Sequence, residues 1–338
     1  MPYSRPSFPH KILELLSRPP GYKKLLHVFG RRIQGEHLLK LEWDICIILD
    51  ECRFDLFESV LEDDWTPPHQ ELAKFDRIIS VDSATKPWIQ KTFNGPEGPS
   101  HSPITYVTAN PYSVEVRGSP TIEQLDEVWK YAWDPKIGTV PPRAVADRTI
   151  HHYQNGEKRL MAHFLQPHGP FLRRTDQGLV THPDVDYSLT SSKSSNNASE
   201  FRSVSTANRL NNFLPGSWDW PAPDSGSVYD RLRTGELAHQ TVWNAYRESL
   251  LLVLEEITKL LQSVDAERVV ITSDHGNAFG EWGIYGHPIH NPFSVLRKVP
   301  YLVTTAKKSM EYAPESYEID TEETHMEKLR DLGYLDEY

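Results

Sequence analysis

The sequence predicts an α/β fold: a mostly parallel central sheet with helices on both faces. Three observations predict it. Residues 44–50, 77–81, 161–165 and 268–272 are short apolar runs rich in β-branched side chains, which read as strands. Helix-like stretches separate them, so strands and helices alternate through about residue 171, the pattern of a doubly wound sheet. Each run also leads into residues able to do chemistry, and open α/β sheets place their ligand sites at strand C-termini.

Residues 9–40 read as two short basic amphipathic helices, over 10–16 and 22–33. Lys23, Lys24, Arg31 and Arg32 form a local basic cluster, either a solvated helix face or a membrane-surface contact. The run 44–50 ends on Asp50, and Glu51-Cys52-Arg53-Phe54-Asp55 leads into a helix. Asp50 is then either a site carboxylate or that helix's N-cap. After the run 77–81 comes Ser83-Ala84-Thr85-Lys86-Pro87-Trp88, with a helix expected through 88–93. Thr85 falls at a strand-to-helix turn, where backbone N–H groups favour anions. It is either an ordinary cap or a hydroxyl that metal coordination turns into a nucleophile.

The run from Met161 passes His163 and reaches His168-Gly169-Pro170-Phe171. Residues five apart fall on opposite faces of a strand, so the two histidines act together only if the strand ends before Pro167. His168, past the strand, is the site candidate, with His163 behind it. Residues 172–227 change character: 188–199 is Ser/Asn-rich, and Trp218, Trp220, Pro221 and Pro223 crowd one stretch. A segment this long is a substrate-selecting lid or a surface excursion. Residues 229–262 carry a helical period, with Trp243 and Tyr246 as core candidates.

The last strand, 268–272, delivers Asp274-His275-Gly276, with His287 further on. Carboxylate oxygen and imidazole nitrogen suit Zn or Mn, and glycine permits close approach. The alternative is that Asp274 caps a turn. Asp50 and Asp274 at neighbouring strand ends would repel unless one took a proton or a divalent ion lay between them.

At 338 residues the chain is long enough for one large α/β domain or two modest ones. A formal charge of −11 without a basic stripe argues against general nucleic-acid binding. Only two cysteines, Cys46 and Cys52, argue against a disulfide framework. The N-terminus has no apolar signal core and no run is long enough for a membrane span, so a cytoplasmic protein without an integral membrane segment is expected.

Together these segments resemble the alkaline phosphatase superfamily, and within it the sulfatase-like hydrolases and transferases. The similarity is nearest to phosphoethanolamine and phosphoglycerol transferase catalytic domains and to soluble archaeal sulfatase-like proteins. It rests on the strand ending in Asp50, Thr85-x-Pro87, His163-x4-His168-Gly169-Pro170-Phe171, and Asp274-His275-Gly276 with His287. Val299-Pro300-Tyr301 and Leu329-Arg330-Asp331-Leu332-Gly333-Tyr334 also resemble the soluble group.

The resemblance implies an alkaline phosphatase-like catalytic domain over 41–338, with a helical extension at 1–40 and a polar insertion at 172–227. It implies that Asp50, Thr85, Asp274 and His275 bind one divalent ion, Zn or Mn ahead of Ca. Thr85 is then the nucleophile, in preference to Ser83, and His168 and His287 contact the transferred phosphoryl group directly or through a second ion. Lys86 or Arg53 is available to add positive charge. Two departures stand out. Glu51 follows Asp50 where a small residue or Asp is usual, and the family's Asp and His on an intervening loop have no equivalent here.

The implied activity is metal-dependent hydrolysis or transfer of a small-molecule or glycan-linked phosphate ester, ahead of a sulfate ester. Formylglycine sulfatases carry Cys or Ser followed by x-Pro-x-Arg, whereas this chain has Thr85-Lys86-Pro87-Trp88-Ile89, and Thr cannot undergo that conversion. A sulfuric ester hydrolase and a non-catalytic relative that binds a ligand or partner are the alternatives.

Overall fold

A computed structural model describes residues 22–94, 103–185 and 227–317. The expected helix at 10–16, most of the 172–227 insertion and residues 329–334 lie outside them. Seven strands form the main sheet: β1 (Ile45–Asp50), β2 (Lys74–Ile79), β3 (Ile104–Thr108), β4 (Ile122–Glu127), β5 (Leu160–Pro167), β8 (Ala266–Ser273) and β11 (Lys298–Ala306). Two small hairpins supply the others, β6 (Leu172–Thr175) with β7 (Gly178–Thr181), and β9 (Ala278–Phe279) with β10 (Tyr285–Gly286). The strand order is β2-β11-β8-β1-β5-β3-β4. Only β11 opposes its neighbours, running antiparallel to β2 and β8, while the other pairings are parallel. The mostly parallel α/β sheet expected from the sequence is the one observed.

β1, β3 and β5 are buried at every residue, so both faces of the sheet's centre are covered. That is why residues 45–49 read as an unbroken apolar run. Burying each of Ile45, Ile47, Ile48 and Leu49 stabilises the fold by about 1.5–3 kcal/mol. β1 pairs with β5 on one side and β8 on the other, so its C-terminal residue emerges between two strand ends.

The helices are α1 (Tyr22–Arg32), α2 (Phe54–Asp63), α3 (Thr85–Asn94), α4 (Pro142–Gln154), α5 (Val228–Thr234), α6 (His239–Ser263) and the single turn α7 (Ser294–Arg297). Trp88 and Phe93 of α3 lie against His163 and Tyr106, which join α3 to β5 and β3. α6 packs on α4, β5 and β11. No described helix is long and apolar enough to cross a membrane.

Three elements differ from the sequence reading. The helix expected over 229–262 is two helices, because Gly235 caps α5 at φ +81°, a conformation that breaks helical continuity. The strand expected at 77–81 runs Lys74–Ile79: its ladder with β11 ends at the Ile79–Lys298 pair, and Ser80 turns away to bond Arg297 and Asp274. As an edge strand β2 is half exposed, which hid its true start. The helix expected from Trp88 begins at Thr85.

Candidate active site

β1 ends on Asp50 at a register shift against β5, and Glu51 follows at φ +61°. Such a backbone is costly for a residue with a Cβ and persists only where its surroundings hold it. Here Glu51 N–H donates to Asp274 Oδ1 at 3.1 Å, and its carbonyl accepts from the Tyr246 hydroxyl. The turn after β8 carries Asp274 and His275. Gly276 is required next, since a Cβ there would stand 2.1 Å from the Val295 carbonyl oxygen. Thr85 is the first residue of α3, His168 follows β5, and His287 follows β10.

These turns bring two groups of side chains together. In the first, ligand atoms of Asp50, Asp274 and His275 lie within 4.8 Å of one another. Thr85 Oγ1 sits among them, 3.2 Å from Asp50 Oδ1 and 3.0 Å from His275 Nε2. Asn110 Nδ2 donates to the other Asp50 oxygen at 2.7 Å. His275 Nδ1 lies 2.8 Å from the Gly276 carbonyl, which can only accept, so Nδ1 carries the proton and Nε2 presents its lone pair inward. Asp274 Oδ1 accepts from the His275 and Glu51 N–H groups, while Oδ2, 3.2 Å from His275 Nε2, receives no hydrogen bond.

In the second group, ligand atoms of Glu51, His168 and His287 again lie within 4.8 Å. His287 Nε2 is 2.5 Å and His168 Nε2 3.5 Å from Glu51 Oε1, which receives no properly aligned hydrogen bond. His168 Nδ1 bonds the Gly169 carbonyl, which turns the lone pair of its Nε2 toward Glu51. Glu51 Oε2 accepts from Asn277 Nδ2 at 2.8 Å and Tyr229 at 3.3 Å. The groups adjoin, with the His275 and His287 ring centroids 4.7 Å apart.

Asp50, Glu51 and Asp274 are all fully buried. Burial pushes Asp274 up to about 7 and raises Glu51. Burial and the neighbouring His287 lower His275 to about 4, and burial lowers His287 to about 3 and also lowers His168. The imidazoles are therefore neutral near pH 7 and do not compensate the carboxylates. Three buried carboxylates, inward-facing imidazole lone pairs and unsatisfied oxygens form a donor set that suits divalent cations.

The remaining candidates fall elsewhere. His163 belongs to the core: β5 continues to Pro167, so His163 stays inside the sheet, its Nδ1 2.7 Å from the Tyr106 hydroxyl and its ring against Trp88. Arg53 is buried and spent on Asp55, Glu281 and the Asn277 carbonyl, over the Trp243 ring. Lys86 pairs with Glu115. The Ser83 hydroxyl donates to the Pro288 carbonyl and accepts from Asn291 N–H. Sequence reasoning left Glu51 without a role and missed Asn110, Asn277 and Tyr229. A second acid beside Asp50 was the available signal for Glu51; nothing local marks the other three.

No family model matches the chain, and no curated protein does. Solved structures do. The chain is similar to the C-terminal periplasmic domain of a phosphoethanolamine transferase from Campylobacter jejuni, at 14% identity and TM-score 0.40, over 77% of this chain and 78% of that one. It is similar to the soluble domain of lipooligosaccharide phosphoethanolamine transferase A from Neisseria meningitidis, at 12% identity and TM-score 0.43, over 78% and 76%. It is also similar to a putative sulfatase from Bacteroides thetaiotaomicron, at 10% identity and TM-score 0.44, over 77% and 63%. These are the kinds of protein the sequence motifs resemble. The likeness is one of fold.

Proposed function

We propose that the protein transfers or hydrolyses phosphate esters through a covalent intermediate on Thr85. The observation that carries this reading is the Thr85 hydroxyl held between Asp50 Oδ1 and His275 Nε2 at the start of α3. Asp50, Asp274 and His275, with Thr85, would hold one divalent ion, and Glu51, His168 and His287 a second. Bound there, such ions lower the pKa of a hydroxyl and offset charge on phosphoryl oxygens.

The chain's own groups supply the rest. Asp50 Oδ1 is within reach of the Thr85 proton, and Asn110 keeps that carboxylate oriented. Thr85 Oγ1 then bonds to phosphorus as the bond to the ester oxygen breaks, and the leaving alkoxide takes up a proton. Of the first turn of α3 only the Thr85 and Lys86 N–H groups remain as donors for phosphoryl oxygens, since Pro87 has none and the Trp88 N–H donates to the Ala84 carbonyl. A water or an alcohol then attacks phosphorus, restoring Thr85 and releasing phosphate or a new ester. Phosphate is favoured over sulfate because an unmodified threonine lacks the second hydroxyl by which a formylglycine hydrate expels sulfate.

The test is a rapid quench with an aryl phosphate after loading with Zn or Mn, followed by peptide mass analysis. A phosphoryl group on the peptide containing Thr85, absent in Thr85→Ala, supports the reading. Turnover of sulfate esters above phosphate mono- and diesters, lost in Thr85→Ala, would replace it with sulfate transfer. Neither turnover nor metal uptake would leave a protein that binds a ligand without catalysis.

A further inference from the structure

The turn between β2 and α3 holds more than the nucleophile. Asp82 and Ser83, both fully buried, precede Thr85 and face the loop that follows His287. Asp82 Oδ1 accepts from the His290 N–H at 2.9 Å, and Oδ2 lies 2.7 Å from His290 Nδ1. Lys91 Nζ donates to the same Oδ2 at 2.6 Å, which fixes the carboxylate from the side of α3. The Ser83 hydroxyl donates to the Pro288 carbonyl at 2.8 Å and accepts from the Asn291 N–H at 2.7 Å. Two adjacent side chains thus seize three of the four residues after His287. His290 is held at φ +52°, a left-handed backbone that a non-glycine residue adopts only under such constraint.

The same turn also touches the first group. The Ser80 hydroxyl bonds the Asp274 carbonyl, and Arg297 ties the Ser80 carbonyl to that of Gly30. The Asp82 N–H also reaches this Ser80 hydroxyl, but the side-chain bonds of Asp82 and Ser83 run to the His287 loop and, from Asp82, to Lys91, not to Asp50, Asp274 or His275. The first group's own hydrogen bonds use neither of these side chains.

We propose that Asp82 and Ser83 are positioning residues that set His287 against Glu51 and so fix the second cation site relative to Thr85. The proposal rests on the two-site reading above. Its chemistry is that of an outer-shell clamp: the ligand is unchanged, but the pocket it completes loses its geometry. Outer-shell changes of this kind weaken metal affinity by about 10–100-fold.

Calorimetric titration of chelated, full-length protein with Zn or Mn tests it. Wild type is expected to take up two ions. Ser83→Ala is expected to bind the first with affinity within about twofold of wild type and the second about 10–100-fold more weakly. Ser83→Thr, which keeps a hydroxyl, is expected to recover the second affinity. Should Ser83→Ala fail to fold, Asp82→Asn and His290→Asn repeat the test, since asparagine tolerates the left-handed backbone at 290. Two ions bound by wild type and by folded variants with unchanged affinities would overturn the clamp alone, as would equal weakening of both ions. Fewer than two ions in wild type would instead overturn the two-site reading.

Discussion

Two clusters in this fold, one buried and one with its Glu157 side chain 25% exposed, are built from the same residue types and behave in opposite ways. One is the Asp50, Glu51, Asp274, His168, His275 and His287 constellation at the strand ends. The other joins Asp126 of β4 to His152 of α4 and Glu157. In the second every polar atom has a partner: Asp126 accepts from Tyr131, Arg148 and His152, and Glu157 lies against His152 Nδ1 and accepts from Thr105. Burial works against the His152 cation, but hydrogen bonds to Asp126 and Glu157 outweigh it and raise its pKa. At the strand ends burial prevails, the imidazoles are lowered, and Asp274 Oδ2 and Glu51 Oε1 are left without hydrogen bonds. A cluster that closes on itself is built for stability. One that leaves buried oxygens without partners is what the proposed ligand site requires.

The comparison breaks most visibly at Thr85. Thr85→Ala is expected to lower phosphate-ester turnover by at least about 10³-fold while melting temperature and metal content stay near wild type. Retained turnover would exclude Thr85 as the attacking group. The corresponding cut in the closed cluster, Asp126→Asn, is expected to cost about 3 kcal/mol in denaturant unfolding and to leave turnover per folded molecule unchanged. Loss of activity without loss of stability would make that cluster functional too. Next in size, supplying Zn or Mn at about 100 times the dissociation constant should stabilise wild type by about 2.7 kcal/mol, and Asp274→Ala by much less. Equal stabilisation of both would place the ion elsewhere.

How much of this was legible in the sequence follows the same division. Asp50, Asp274, His275 and His168 stand just past apolar runs, so strand ends found by composition also located these side chains. Glu51 was not assignable, because its direction depends on the φ +61° turn at the β1 shift, which no local pattern announces. His163 was ambiguous because sequence alone did not show that β5 runs on to Pro167. Ser83 and Thr85 were both plausible hydroxyls two residues apart. Only the loop after His287, more than two hundred residues away, shows that Ser83 already has its partners. The sheet itself was readable from alternation, whereas the antiparallel β11 and the break at Gly235 were not.

The smallest expected effect sharpens the contrast by its sign. His152 has a raised pKa, so its contribution to stability is complete below the unfolded-state value of about 6.5 and is lost as pH rises through the raised folded value. At the strand ends the signs conflict. His275 and His287, lowered to about 4 and about 3, cost stability as pH falls below about 6.5. Asp274, raised to about 7, and Glu51, also raised, add it over the same fall. Unfolding of chelated protein above pH 6.5 should show the His152 slope, a loss of stability as pH rises. His152→Gln should remove that slope, and a slope unchanged in the variant would detach it from the closed cluster.

The pairing of β1 with β8 also has a consequence for biosynthesis. Glu51 and Asp274 lie 223 residues apart in the chain and bond only once both strands have joined the sheet. During synthesis, Asp50 and Thr85 emerge long before Asp274, His275 and His287 exist. A nascent chain therefore offers no complete cage, and β1 must wait for its far neighbour with an apolar edge unprotected. A divalent ion held as proposed above would be acquired only after β8 has joined β1, so loading would follow assembly of the sheet's centre.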